Sequence, residues 1–307
     1  MENTNDVEVK IEEVQMSPDE IQRIKSEAEG EFLFRRIINE KENTQTIWPY
    51  HKSTTGEWQS ESLEELESIE LSGGESSYMK YVISKNGQSG IISTFHRPGY
   101  YDRRAYTSLY IFERDLHNAF AKEADKMFKQ DHKGGPLSFS TVIASDGSFF
   151  IMTHDDEGLL HWFKDNTGTW TSEAVATSNN IIYKHPELAP DLSYFLTTTG
   201  NNDINIWERD AEGKWRQSSA TLHSPQTIDA FYIAPNSKCF ITVNKTSRTA
   251  VFWSRNSQGQ WENQTFDGVD GGINKYKNLN TPQVAFANDS KSFVITGLNE
   301  EGGYRIS

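Results

Sequence analysis

The sequence has a single cysteine, Cys239, among 307 residues. An intrachain disulfide is therefore excluded, and a lone thiol makes no metal framework. Apolar residues are scarce at 35%, and no run approaches the ~18 residues that a membrane-spanning helix needs. The N-terminal stretch MENTNDVEVKIEEV lacks the basic start and apolar segment of a cleavable signal. These features predict a cytoplasmic protein with no membrane partner, although a secretion route that ignores such signals stays open. Basic charge is also in deficit, with 30 basic against 44 acidic residues. Most of the acidic excess falls in residues 1–75, which hold 19 acidic and 7 basic residues, so the remainder is close to neutral. Without a basic field, nucleic acid is not an expected partner.

Aromatic residues, in contrast, are abundant at 12%, with 8 Trp. They recur with a period. The segments LLHWFKDNTGTW (159–170), INIWERDAEGKW (204–215) and TAVFWSRNSQGQW (249–261) each place two Trp residues eight apart: Trp162 and Trp170, Trp207 and Trp215, Trp253 and Trp261. Each carries Gly two residues before the second Trp. SLYIFERDLHNAF (108–120) keeps the spacing with Phe112 and Phe120, and TIWPYHKSTTGEW (46–58) offers Trp48 and Trp58. Such a segment reads as strand, tight turn and strand, with the late Gly supplying a positive φ. The first strand of each pair is apolar on both faces, as in a strand sandwiched between layers.

A second pattern precedes each hairpin, as in VIASDGSFFIMTHDDEGLLHW, LAPDLSYFLTTTGNNDINIW and IAPNSKCFITVNKTSRTAVFW. It is a turn rich in Pro, Asp, Asn and Gly, then an apolar strand and a polar loop. Repetition at this interval is the signature of a propeller array. Trp48, Phe112, Trp162, Trp207, Trp253 and Tyr304 mark six units.

These segments resemble degenerate copies of the WD repeat. The resemblance spans roughly residues 30–307 and implies an all-β fold, a six-bladed β-propeller, with a seven-bladed or incomplete ring as the alternative. It implies one domain over 1–307, in which 31–307 carry the repeats and 1–30 form an acidic N-terminal segment. It also implies that an N-terminal strand completes the last unit, and VEVKIEEV at 7–14 alternates as an edge strand would. Ser17, Pro18, Asp19 and Glu20 predict a short inserted helix over 18–29, ended by Gly30. The stretch 61–70 reads as a second short helix or an acidic loop.

The resemblance further implies a structural tetrad of His132, Asp156 and Trp162, with Thr153 or His154 near the hydroxyl position. His223 and Ser247 would stand in the Trp253 unit. This role competes with a metal reading of His154, Asp155 and Asp156, and it is preferred because metal sites need three or four convergent ligands. The longest loop, 95–108, gathers Tyr100, Tyr101, Arg103 and Arg104, residue types enriched at binding hot spots. It is the candidate partner-binding surface. The recurrent cations Arg114, Lys164, Arg209 and Arg255, two after each aromatic, read as solvated turn charges.

No P-loop, G-x-S-x-G, H-E-x-x-H or dinucleotide fingerprint is present. The expectation is therefore a non-enzymatic interaction scaffold for a protein or peptide, with no catalytic residue, metal or cofactor. The alternative is a lectin-like propeller for glycans, which would place Trp58, Trp170, Trp215 and Trp261 in exposed pockets between blades.

Overall fold

The computed structural model describes residues 11–14, 32–39, 44–60, 78–96, 104–114, 120–131, 139–155, 157–177, 181–200, 202–244, 246–247, 249–266, 283–296 and 302–306. All regular structure among them is β. The predicted helix at 18–29 and the stretch 61–70 lie outside the described residues.

The strands form six antiparallel sheets. The first holds β2 (Phe32–Asn39), β3 (Thr44–Lys52) and β4 (Trp58–Ser60). The second holds β5 (Tyr78–Ile83), β6 (Ser89–His96), β7 (Arg104–Arg114) and β8 (Phe120–Asp131). The third holds β9 (Phe139–Ile143), β10 (Phe149–His154), β11 (Gly158–Lys164) and β12 (Trp170–Ala176). The fourth holds β13 (Tyr183–Leu188), β14 (Tyr194–Thr199), β15 (Asp203–Arg209) and β16 (Trp215–His223). The fifth holds β17 (Ala230–Ile233), β18 (Cys239–Asn244), β19 (Thr249–Arg255) and β20 (Trp261–Phe266). The sixth holds β21 (Gln283–Phe286), β22 (Ser292–Thr296) and β23 (Gly302–Ile306), completed by β1 (Ile11–Val14). That last strand runs antiparallel to β23, with Ile11 opposite Ile306 and Val14 opposite Gly303. The expected N-terminal donation is thus seen over Ile11–Val14. The contacts divide into two units, residues 30–180 and residues 181–307 with 1–29.

Strand register makes the repeat quantitative. Phe150 faces Trp162, Phe195 faces Trp207, Phe240 faces Trp253 and Phe293 faces Tyr304 across the second and third strands. In the first sheet Leu33 faces Tyr50, and Lys52 faces Trp58 just as Lys164 faces Trp170. Tyr50, not Trp48, therefore holds the repeat position. The reason is the turn: Tyr50 keeps the eight-residue interval to the closing Trp, whereas Trp48 lies one pleat further up the strand.

In the third, fourth and fifth sheets the rings stack in a fixed order. Phe150 lies parallel to Trp162 at 5.4 Å, Phe195 to Trp207 at 5.7 Å and Phe240 to Trp253 at 5.8 Å. The closing Trp then meets the same Phe more steeply, Trp215 on Phe195 at 4.8 Å and Trp261 on Phe240 at 4.9 Å. Large rings supply the buried area that a sequence poor in aliphatics lacks. The middle strands β10 and β18 are buried along their whole length, as the apolar pattern on both faces requires. Cores form between successive sheets: Ile91, Leu109 and Ile111 of the second pack on Phe150, Met152 and Leu160 of the third. Leu196 and Ile204 of the fourth cluster with Phe231, Phe240 and Val251 of the fifth.

The turns between first and second strands also repeat. Asn86, Asp146, Asp191, Asn236 and Asp289 each accept, through Oδ1, the backbone N–H two residues on. These Asx turns lock neighbouring sheets together. Asn86 Nδ2 donates to the Asp146 carbonyl at 2.9 Å, and Asn236 N–H donates to Ser290 Oγ at 2.9 Å.

Candidate functional site

A groove of about 640 Å³ opens between the fourth and fifth sheets. Ser193 and Tyr194, and Ser237 and Lys238, come from the two Asx turns. Glu208, Arg209, Arg255, Asn256, Ser257 and Gly259 come from the ends of β15 and β19 and the hairpin after β19. The hairpin is held open by its own chemistry. Asn256 Oδ1 accepts the N–H groups of Gln258 and Gln260, and Gly259 adopts φ 77°. That φ is the reason the repeat keeps Gly there.

Arg255 Nη2 donates to Glu208 Oε1 at 2.7 Å, clasping one sheet to the next. Its guanidinium lies over the Trp261 ring at 4.9 Å, and Arg209 lies over Trp215 at 4.7 Å. Tyr194 Oη donates to the Ser237 carbonyl at 3.1 Å. Burial pushes the Tyr194 phenol far above its ordinary range, so it stays protonated. The groove thus sets three cations, Arg209, Lys238 and Arg255, against one carboxylate, Glu208. Hydroxyls of Ser193, Ser237 and Ser257 complete a lining suited to an anionic, hydroxyl-rich small molecule.

The recurrent cations are therefore not simply solvated turn charges. Lys52 on Trp58 and Lys164 on Trp170 repeat the stacking seen at Arg209 and Arg255. The signal was available in the sequence: a cation six residues before a Trp faces it across the hairpin.

Of the residues expected to bind a partner, Tyr100, Tyr101 and Arg103 lie outside the described residues. Arg104 opens β7, with its backbone opposite Asp131. Of the tetrad, His132 and Asp156 lie outside the described residues, and Trp162 is buried. A tryptophan–hydroxyl link does occur in the next two repeats. Trp207 Nε1 donates to Thr197 Oγ1 at 2.9 Å, and Trp253 Nε1 to Thr242 Oγ1 at 3.3 Å. By register the equivalent of these threonines beside Trp162 is Met152, which has no hydroxyl. His223 contacts Asp203 in its own sheet at 2.7 Å, and Ser247 Oγ donates to Gln226. No cluster of three or more potential metal ligands occurs among the described residues.

The closing Trp residues, which the glycan alternative places in exposed pockets, are shielded to different degrees. Trp170 and Trp215 are buried, and Trp58 and Trp261 half-buried. Trp170, Trp215 and Trp261 pack on Phe150, Phe195 and Phe240 of their own sheets.

No family model and no curated protein matches the sequence. Solved structures do resemble it in shape. A Lactobacillus plantarum protein aligns over 76% of this chain and 67% of its own, at TM-score 0.51 and 11% identity. A Desulfotomaculum acetoxidans protein of unknown function aligns over 85% and 72%, at TM-score 0.51 and 10% identity. The periplasmic gluconolactonase of Pseudomonas aeruginosa aligns over 78% and 68%, at TM-score 0.48 and 14% identity. At such identities the likeness is one of fold, and the fold is propeller-like; no match ties the chain to WD repeats in particular. No helix among the described residues is long and apolar enough to cross a membrane. The expectation of a non-enzymatic scaffold does not hold on this ground: a propeller-like fold hosts unrelated activities, so missing sequence signatures do not mark a chain as a non-enzyme. By fold, this chain is an all-β protein of the propeller-like kind.

Proposed function

We propose that this chain is a hydrolase of sugar lactones whose substrate sits in the groove between the fourth and fifth sheets. The observation that carries the proposal is the lining: three cations and several hydroxyls around a single carboxylate, Glu208. A polyhydroxylated substrate with an anionic group matches it. Arg209 and Lys238 hold the anion, and the serine hydroxyls meet the sugar hydroxyls. Glu208 takes a proton from water as the water oxygen bonds to the lactone carbonyl carbon. Arg255, already oriented by Glu208 and stacked on Trp261, donates to the developing oxyanion. The ring C–O bond then breaks, and the proton passes to the departing ring oxygen, giving the open hydroxy acid. We further propose that the six sheets are blades of one WD-like ring, a reading supported by the pairing of β1 with β23.

The test is hydrolysis of gluconolactone and 6-phosphogluconolactone, followed by acid release. The wild type should exceed the spontaneous rate. Glu208→Gln should abolish the excess while retaining binding of 6-phosphogluconate, and Arg255→Ala should weaken both. A wild-type rate equal to the uncatalysed one with both substrates overturns the proposal.

A further inference from the structure

The glutamate–cation clasp of the groove is not unique to it. In the 30–180 unit Lys164 Nζ contacts Glu113 in the same way, joining the third sheet to the second. Register makes the two places equivalent position by position. Lys164 and Arg255 both face the closing Trp of their hairpins, and Glu113 and Glu208 both follow the aromatic of the preceding repeat. The clasp alone is therefore a device for holding neighbouring sheets together.

What surrounds it differs. Ser148 stands where the groove has Lys238, each directly after the positive-φ residue of its Asx turn. Asp165 stands where the groove has Asn256, each opening its hairpin. Arg114, the counterpart of Arg209, donates through Nε to the Gly87 carbonyl at 2.6 Å and lies over Phe32 at 5.3 Å, so it is drawn toward the first sheet. The groove thus has three cations to one carboxylate. Its counterpart has two cations to two carboxylates, with one cation turned elsewhere. Neither exchange alters the backbone. Asp165 Oδ1 accepts the N–H groups of Thr167 and Thr169, just as Asn256 Oδ1 accepts those of Gln258 and Gln260. Turn geometry is therefore satisfied by either residue, and the charge is free to serve another purpose.

We propose that Lys238 and Asn256 are the specificity-determining residues that turn a repeated structural clasp into an anion site, with the phosphate or carboxylate of a sugar acid as ligand. The inference rests on the reading of the groove as the substrate site. Lys238 supplies a third positive charge, and Asn256 withholds a negative one beside the Arg255 guanidinium.

The test uses the full chain and calorimetric titration with 6-phosphogluconate. The wild type should bind one equivalent. Lys238→Ser and Asn256→Asp, which install the residues of the counterpart, should each weaken binding about tenfold; Lys238→Ser should leave the melting temperature unchanged, and Asn256→Asp should lower it, because Asn256 Nδ2 donates to Glu262 Oε1 at 2.8 Å. The reverse pair, Ser148→Lys with Asp165→Asn, should raise the stoichiometry towards two. No binding by the wild type sinks both the reading and the inference. Binding that survives both groove substitutions at full affinity, or two equivalents in the wild type, overturns the inference and leaves the reading standing.

Discussion

Trp207 donates its indole N–H to Thr197 Oγ1 at 2.9 Å, and both side chains are almost wholly shielded from water. A buried donor that loses its acceptor costs more than the bond itself contributed. Thr197→Val keeps the shape and removes the acceptor. It should destabilise the protein by about 1–3 kcal/mol, read as a shift in the urea midpoint. Thr197→Ser, which keeps the hydroxyl, should lose less.

The stacked cations offer a separate measurement. Arg209 lies 4.7 Å from the Trp215 ring centre at an exposed strand end. Arg209→Ala should cost about 0.5–1 kcal/mol, the range for exposed cation–π pairs. Arg209→Lys should recover part of it. Equal stability of all three proteins would show that the stacking contributes nothing.

Two glycines with positive φ differ in their surroundings, and this separates strain from crowding. A Cβ on Gly147 would stand 2.5 Å from Ser89 Oγ, whereas one on Gly168 would meet nothing within 4 Å. Gly168→Ala should cost about 1–2 kcal/mol from backbone strain alone. Gly147→Ala should cost more, because the second-sheet side chain must also move. Chemical denaturation of the two variants side by side checks the order.

Glu187 sits at the β-bulge of β13, next to His185, whose φ is 50°. It is half-buried by surface area, yet packed so that burial pushes its carboxyl up to about 8. The folded state therefore holds a proton that the unfolded chain releases above its ordinary value near 4.5. Stability is fully present below that value and falls as pH rises, levelling off only once the folded carboxyl has ionised near 8. Glu187→Gln should match the wild type at pH 4 and exceed it by more than about 1 kcal/mol at pH 9. Parallel pH profiles for the two proteins would contradict this assignment.

The blade pattern was readable because its physics is local. Eight residues from aromatic to closing Trp, with Gly before the latter, define a hairpin whichever sheet it belongs to. Register was less readable: Trp48 attracted attention as the larger ring, although Tyr50 holds the interval, since pairing depends on the turn and not on side-chain size. The groove was the least legible feature. Glu208 and Arg255 lie 47 residues apart, and only the side-by-side placement of the fourth and fifth sheets brings them to 2.7 Å. Arg255 read as a solvated turn charge, and no sequence pattern singled out Glu208. Met152 in place of a threonine misled in the opposite sense, because His132 and Asp156 made the Trp162 unit look the best preserved.

The pairing of β1 with β23 has a consequence in time. Residues 11–14 leave the ribosome long before residues 302–306, their partners. At ordinary elongation rates the interval is on the order of tens of seconds. Throughout it, the early strand has no place to go, while the five sheets whose strands come from contiguous sequence can already assemble. Its adjacent charges, Glu12 and Glu13 between Ile11 and Val14, disfavour adhesion of such a waiting strand to a neighbouring nascent chain. That protection matters only until the partner strand has been synthesised.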